Sequence, residues 1–272
     1  MNTFDHQKGA YFCTGEAKIY YEEIGNPDKP VIIFLHGGVG NMEDFNVLVP
    51  LLADDFRIIG IDSRGQGKSS LGSDKLTYQL LQSDIEALLK SLNINNIIII
   101  GFSDGGIISY RMAIENAIKI KKIVTIGATW NIKDLLATEE IFLNVTAAGW
   151  KEKFPDSFNL YQKLNPEPDF EKLIKSVVAL WLDKTETGFP NERVSEINCP
   201  ALIVRGDQDH LFSRKSVFEV AECIDNAALL NIPFAGHVAY EDQLELFFIT
   251  LKQFLNEQYC RVQSSRRIGH FT

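Results

Sequence analysis

Six short apolar runs punctuate the chain, each bounded by turn residues: Val31–Leu35, Arg57–Ile61, Ile97–Gly101, Lys122–Ile126, Ala201–Arg205 and Ala228–Ile232. They are rich in Ile and Val and scarcely alternate with polar positions, the pattern of strands buried on both faces. Helical periodicities lie between them. Phe45, Leu48, Val49 and Leu52 form one apolar stripe, Tyr78, Leu81, Ile85, Leu88, Leu89 and Leu92 a second, and Leu244, Phe247, Phe248, Leu251, Phe254 and Leu255 a third. Strand alternating with helix predicts right-handed crossovers and a mainly parallel sheet with helices on both faces. The opening stretch, Tyr11 to Ile24, reads as an antiparallel pair on the edge of that sheet.

The rhythm breaks once. From about 129 to 195 there is no buried-strand run, only short amphipathic stretches broken by Pro155, Pro166, Pro168 and Pro190. All three tryptophans (Trp130, Trp150, Trp181) fall here, with Phe142, Phe154, Phe158, Tyr161 and Phe170. The region is expected to be a helical lid inserted before the last two strands, some of its aromatics roofing a pocket and the rest packing it onto the core. The expected organisation is therefore a core of residues 1–128 and 196–260, a lid of 129–195, and a basic, aperiodic tail of 261–272.

Composition narrows the classes of partner. Lys and Arg total 27 against 36 Asp and Glu, a net charge of −9, which repels phosphate backbones and anionic lipid. No apolar run reaches the roughly 18 residues of a membrane span. The first eleven residues are polar where a signal peptide would be apolar. Cys13, Cys199, Cys223 and Cys260 form no C-x-x-C pair and read as reduced thiols of a cytoplasmic protein. A small-molecule substrate is expected, with no nucleic acid, membrane, cofactor or metal, in a monomer or homodimer.

The Ile97–Ile100 strand runs into Gly101-Phe102-Ser103-Asp104-Gly105-Gly106, and a helical stretch follows. G-x-S-x-G between a buried strand and a helix places a serine on a strained turn at the sheet's carboxyl edge, exposed as a nucleophile. A base is then required. Of five histidines, His6 and His270 lie in terminal segments, His36 comes too early in the chain, and His210 directly follows the acid candidate. His237 remains, in the loop between the last strand and the last helix. The orienting acid should lie between them at a strand end, in Gly206-Asp207-Gln208-Asp209; Asp209, further out on the loop, is preferred to Asp207. The oxyanion formed on attack needs two donors. One is the N–H of Asp104. The other belongs to His36-Gly37-Gly38-Val39-Gly40, from Gly38 or Val39, with Gly38 preferred. Substrate contacts are expected at Val39, Phe102, Asp104, Trp130, Trp150 and Trp181. Asp62-Ser63-Arg64-Gly65-Gln66-Gly67-Lys68-Ser69 reads as a structural loop whose charges pair internally. It is no phosphate loop, since Asp62 stands where that motif needs glycine, and no G-x-G-x-x-G follows a strand.

These motifs together resemble the α/β-hydrolase superfamily over nearly the whole chain: H-G-G at His36, D-x-R-G-x-G-x-S at Asp62, the Ser103 elbow, G-x-x-D ending at Asp209, and G-H at His237. The G-F-S-D-G-G elbow looks most like the biphenyl-hydrolase-like and prolyl-iminopeptidase-like branches. Val39 departs from the proline of the iminopeptidases' H-G-G-P-G. The resemblance implies an α/β fold and a cofactor-free serine hydrolase acting on an ester or amide, with aminoacyl esters as one substrate class. A carbon–carbon bond hydrolase or perhydrolase with the same triad, and a non-catalytic ligand sensor, are the rival expectations.

Overall fold

The Ile- and Val-rich runs pair into one sheet of eight strands among the residues described, 2–256, in this computed structural model. In chain order the strands are β1 (Ala10–Thr14), β2 (Ala17–Gly25), β3 (Val31–Leu35), β4 (Arg57–Ile61), β5 (Asn96–Phe102), β6 (Lys119–Ile126), β7 (Ala201–Gly206) and β8 (Ala227–Ile232). Their spatial order is β1-β2-β4-β3-β5-β6-β7-β8. The first two join antiparallel, and every pair from β4 to β8 is parallel. The opening hairpin thus lies at the edge, as the sequence predicts. The carboxyl ends of β3, β5, β6 and β7 come to one rim, where loops can meet.

Helices α1 (Val49–Leu52), α2 (Tyr78–Ser91) and α3 (Asp104–Glu115) follow β3, β4 and β5. Between β6 and β7 come α4 (Ile132–Leu143), α5 (Ala147–Lys153), α6 (Pro155–Leu164) and α7 (Phe170–Trp181), the predicted insertion. After β7 the chain forms α8 (Arg214–Cys223), α9 (Ala239–Asp242) and α10 (Leu244–Asn256). Helices α2, α3 and α8 pack one face of the sheet together with the insertion; α1, α9 and α10 cover the other. No helix among the described residues is long and apolar enough to cross a membrane. The tail expectation for 261–272, with Cys260 and His270, lies outside the described residues.

Two expectations need correction. The Phe45–Leu52 stripe is buried, but not on one helix: a 3-10 turn (Met42–Phe45) precedes the single turn of α1, with Pro50 in its first turn. The charges of the Asp62–Ser69 loop pair outside it. Arg64 makes a bidentate pair with Asp84 of α2, both bonds at 2.7 Å. Asp62 meets His6, whose Nε2 lies 2.8 Å away, while Glu43 takes His6 Nδ1 at 2.6 Å. His6 is thereby a buried anchor for the amino-terminal segment.

Candidate active site

Strand β5 delivers Ser103 through a turn that only a crowded backbone can hold. Ser103 sits at φ 49°, ψ −114°, a left-handed value costing roughly 1–3 kcal/mol for a residue with a side chain. Three main-chain bonds impose it: Ser103 N–H donates to Ile126 O at 2.8 Å, and the Gly106 and Ile107 N–H groups return to Ser103 O. Glycine is required on either side, because a Cβ at Gly105 would lie 1.9 Å from Leu35 O and one at Gly101 2.3 Å from Gly105 O. The serine hydroxyl makes no hydrogen bond with the described residues.

His237 and Asp209 meet from the loops after β8 and β7. His237 Nδ1 lies 2.9 Å from Asp209 Oδ2, and the ring packs 5.0 Å from Phe102. Burial works to raise the Asp209 carboxyl's pKa, but His237 and the Leu211 and Phe212 N–H groups outweigh it and hold the carboxyl below its usual range. Asp207 faces away. It binds Arg214 at 2.7 Å and Asn231 at 2.9 Å on the outer side of the sheet edge.

Ser103 and His237 line one cavity of 590 Å³, roofed by the insertion. Its walls are largely apolar and aromatic, with Ile107, Phe142, Trp150, Phe154, Trp181 and Phe189 prominent. Gly38, Phe102 and Asp104 also line it. The Gly38 and Asp104 N–H groups have no hydrogen-bond partner among the described residues. Val39 N–H is different: it donates to Gln66 Oε1 and is thereby unavailable to a ligand. Gly38 must be glycine, since a Cβ there would meet the Trp181 ring at 2.6 Å and Asp104 Oδ2 at 2.7 Å.

The Asp104 side chain does not turn out to solvent. It is buried, accepting from Tyr78 OH at 2.8 Å and placing each oxygen 3.0 Å from Trp181 Nε1. Burial raises its pKa; the Trp181 and Tyr78 bonds only partly counter that. Both partners are neutral.

Two of the residues expected to contact substrate do not line the cavity. Trp130 points to α8, its Nε1 2.9 Å from Ser216 Oγ, and pins the start of the insertion to the core. Val39 packs its side chain into the main cluster rather than the cavity wall. Conversely, Tyr78 reads in sequence as one more member of an apolar stripe. Its hydroxyl was the available signal, because a buried tyrosine needs a partner. His36 is structural: its Nδ1–H donates to Gly37 O at 2.7 Å, its Nε2 accepts from Ser63 N–H, and burial lowers its pKa. Among the described residues no group of three or more His, Cys, Asp or Glu gathers as a metal site.

Comparison with known proteins agrees with this fold. A family model described as the alpha/beta hydrolase fold matches residues 30–183. The chain is 26% identical to an AB hydrolase superfamily protein of Bacillus subtilis, covering 91% of this chain and 99% of that one. It is 31% identical over 172 residues to a proline iminopeptidase of Neisseria meningitidis, 62% of this chain and 54% of the relative. Among solved structures, the enol-lactonase of Burkholderia xenovorans superposes with a TM-score of 0.72 at 20% identity, covering 91% of this chain and all of that one. Matched over more than half its length, with the strand order and elbow in place, the chain belongs to the alpha/beta-hydrolase family of enzymes.

Proposed function

We propose that the protein is a serine hydrolase that cleaves an ester or amide of a small molecule through an acyl-enzyme. The observation that carries this reading is one cavity lined by both Ser103, on its strained turn, and His237, whose Nδ1 is bound to Asp209. His237 takes the Ser103 proton through Nε2 as the hydroxyl attacks the carbonyl, and Asp209 fixes the tautomer and steadies the imidazolium. The Gly38 and Asp104 N–H groups bind the oxyanion. The imidazolium then protonates the leaving group. Water, deprotonated by the same ring, releases the acid. Apolar walls suit a partly apolar acyl or leaving group.

A fluorophosphonate probe tests the nucleophile. It should label Ser103 alone on peptide mapping, and p-nitrophenyl acetate should turn over steadily, with both lost in Ser103→Ala. Labelling that survives Ser103→Ala overturns the assignment. A single acylation burst with no turnover favours the ligand sensor.

One observation favours aminoacyl esters within this class. Asp104 brings a carboxylate to the cavity, and no lysine or arginine pairs with it among the described residues, although the charge of a protonated His237 acts on it. At about 5 Å from an oxyanion, in an effective dielectric near 20, repulsion is on the order of 3 kcal/mol. Two hydrogen bonds to a charged group contribute roughly 1.5–3 kcal/mol each, so Tyr78 and Trp181 can offset it. A substrate ammonium would offset it further. Such an enzyme prefers an aminoacyl ester to its N-acetylated twin, and Asp104→Asn removes the preference; equal losses on both substrates sink the aminoacyl reading.

A further inference from the structure

The turn carrying Gly38 has a valine where such turns take glycine. Gly40 N–H closes on Gly37 O at 3.1 Å, making residues 37–40 a four-residue turn, and Val39 occupies its third position at φ 62°. Positive φ at that position normally demands glycine, and a β-branched side chain is strained there. Left alone, the loop would relax.

It is held from two sides. Gln66, buried in the loop after β4, accepts the Val39 N–H. Ser157 Oγ on α6 donates to the Val39 carbonyl at 3.3 Å, and Trp150 Nε1 steadies that hydroxyl from 3.4 Å. One tie comes from the core and the other from the insertion. Between them they fix both peptide planes that flank Val39, and so the backbone that leads out of Gly38. The Gly38 N–H itself lies in the Gly37–Gly38 peptide plane, whose carbonyl accepts from Gly40 N–H at 3.1 Å and from His36 Nδ1–H at 2.7 Å. The torsions of Gly38 join that plane to the clamped one, and glycine has no side chain to fix them.

We propose that Gln66 and Ser157 are positioning residues, clamping strained Val39 so that the Gly38 N–H is held on the cavity. Ser157 makes half of that clamp depend on the seating of the insertion. The inference rests on the reading of Gly38 as an oxyanion donor given above. Neither residue touches substrate; both act through the turn.

The test measures p-nitrophenyl acetate turnover and inhibition by phenylboronic acid, which becomes a tetrahedral anion on serine. Gln66→Leu and Ser157→Ala are made alone and with Val39→Gly. Since one oxyanion donor is worth about a hundredfold or more, partial loss of its alignment should lower kcat about tenfold in Gln66→Leu, and about threefold in Ser157→Ala. KM should stay within about twofold, and boronate affinity should fall in step with kcat. Val39→Gly should restore most of each loss, because glycine holds φ near 62° without strain. A residue that merely packs would not be rescued that way. Unchanged kcat in both single variants, or losses that Val39→Gly leaves untouched, would overturn the proposal. If Gln66→Leu does not fold, Ser157→Ala and its pairing with Val39→Gly decide alone. A wild type that neither turns over the ester nor takes a fluorophosphonate on Ser103 fails at the functional reading instead, and the clamp falls with it.

Discussion

Strand β3 and helix α4 are both rich in large apolar residues, yet they meet opposite fates. Ile32 to Leu35 show 0% exposure, whereas Leu136 and Leu143 are 57% and 61% exposed. The sheet is covered on both faces, so any residue that it places inward is buried whatever the details of packing. The insertion has one side against the core and the other in water. It is seated by apolar side chains such as Leu173, Val177 and Leu180 and by a few polar contacts: Trp181 to Asp104, Ser157 to Val39, and Asn165 to the loop after β4. The comparison teaches where precision resides. The candidate catalytic groups stand on the rim of the sheet, and the cavity's shape comes from a part seated on one face by apolar packing and a few side-chain hydrogen bonds.

The sharpest way to break the comparison is at the rim. Asp209→Asn should reduce kcat by about a thousandfold or more, through loss of tautomer control and of charge beside the imidazolium. Asp207→Asn should stay within about threefold, because Asp207 is engaged with Arg214 at the surface. Steady-state rates on one ester settle the pair, and exchanged severities would move the acid to Asp207.

Next in size is an anchor far from the chemistry. Burial would lower the His6 pKa, but the hydrogen bonds and charges of Asp62 and Glu43 outweigh it and push it up to about 9. A raised value in the folded state stabilises fully below the ordinary 6.5, and the stabilisation drains away as pH rises through 9. The effect is on the order of 3 kcal/mol. Urea unfolding of wild type and His6→Gln should therefore show a wide gap in stability at pH 6 and a narrow one near pH 10. A gap of constant width would contradict the ion pair.

Smaller effects belong to the insertion. Asn165 Nδ2 lies 3.2, 3.1 and 3.0 Å from the carbonyls of Gly65, Gly67 and Ser69. Asn165→Ala should cost about 1–3 kcal/mol. Hydrogen exchange should then rise in α4 to α7 before it rises in the strands; a uniform rise would mean that insertion and sheet open as one unit. Leu143→Ala, at an exposed site, should change stability by less than about 0.5 kcal/mol.

Much of the fold was legible because buried parallel strands leave an unmistakable trace in sequence: runs such as Ile97–Ile100, with no polar residue. Ser103, Asp209 and His237 were legible for a related reason, since each follows such a run and strand ends share a rim. The rest depended on contacts distant in sequence. Nothing near His6 announces that it meets Glu43 and Asp62, 37 and 56 residues on. Arg64 was expected to pair within its own loop, yet its partner stands a helix away. Trp130 and Trp181 look alike in the sequence; one serves α8 and the other Asp104, a choice fixed by how four short helices pack. Val39 carried a visible signal, a bulky residue among glycines, whose meaning needed its φ.

The manner in which Asn165 grips the core has a practical corollary. It reads three main-chain carbonyls and no side chain of the loop that it holds. Main-chain oxygens survive almost any substitution that leaves the loop's path intact. The joint therefore works like a standard fitting. A foreign helical roof bearing an asparagine at the end of its third helix could be grafted onto this sheet, or this roof moved to another, with the cavity redrawn and the rim that carries Ser103 and His237 left as it is.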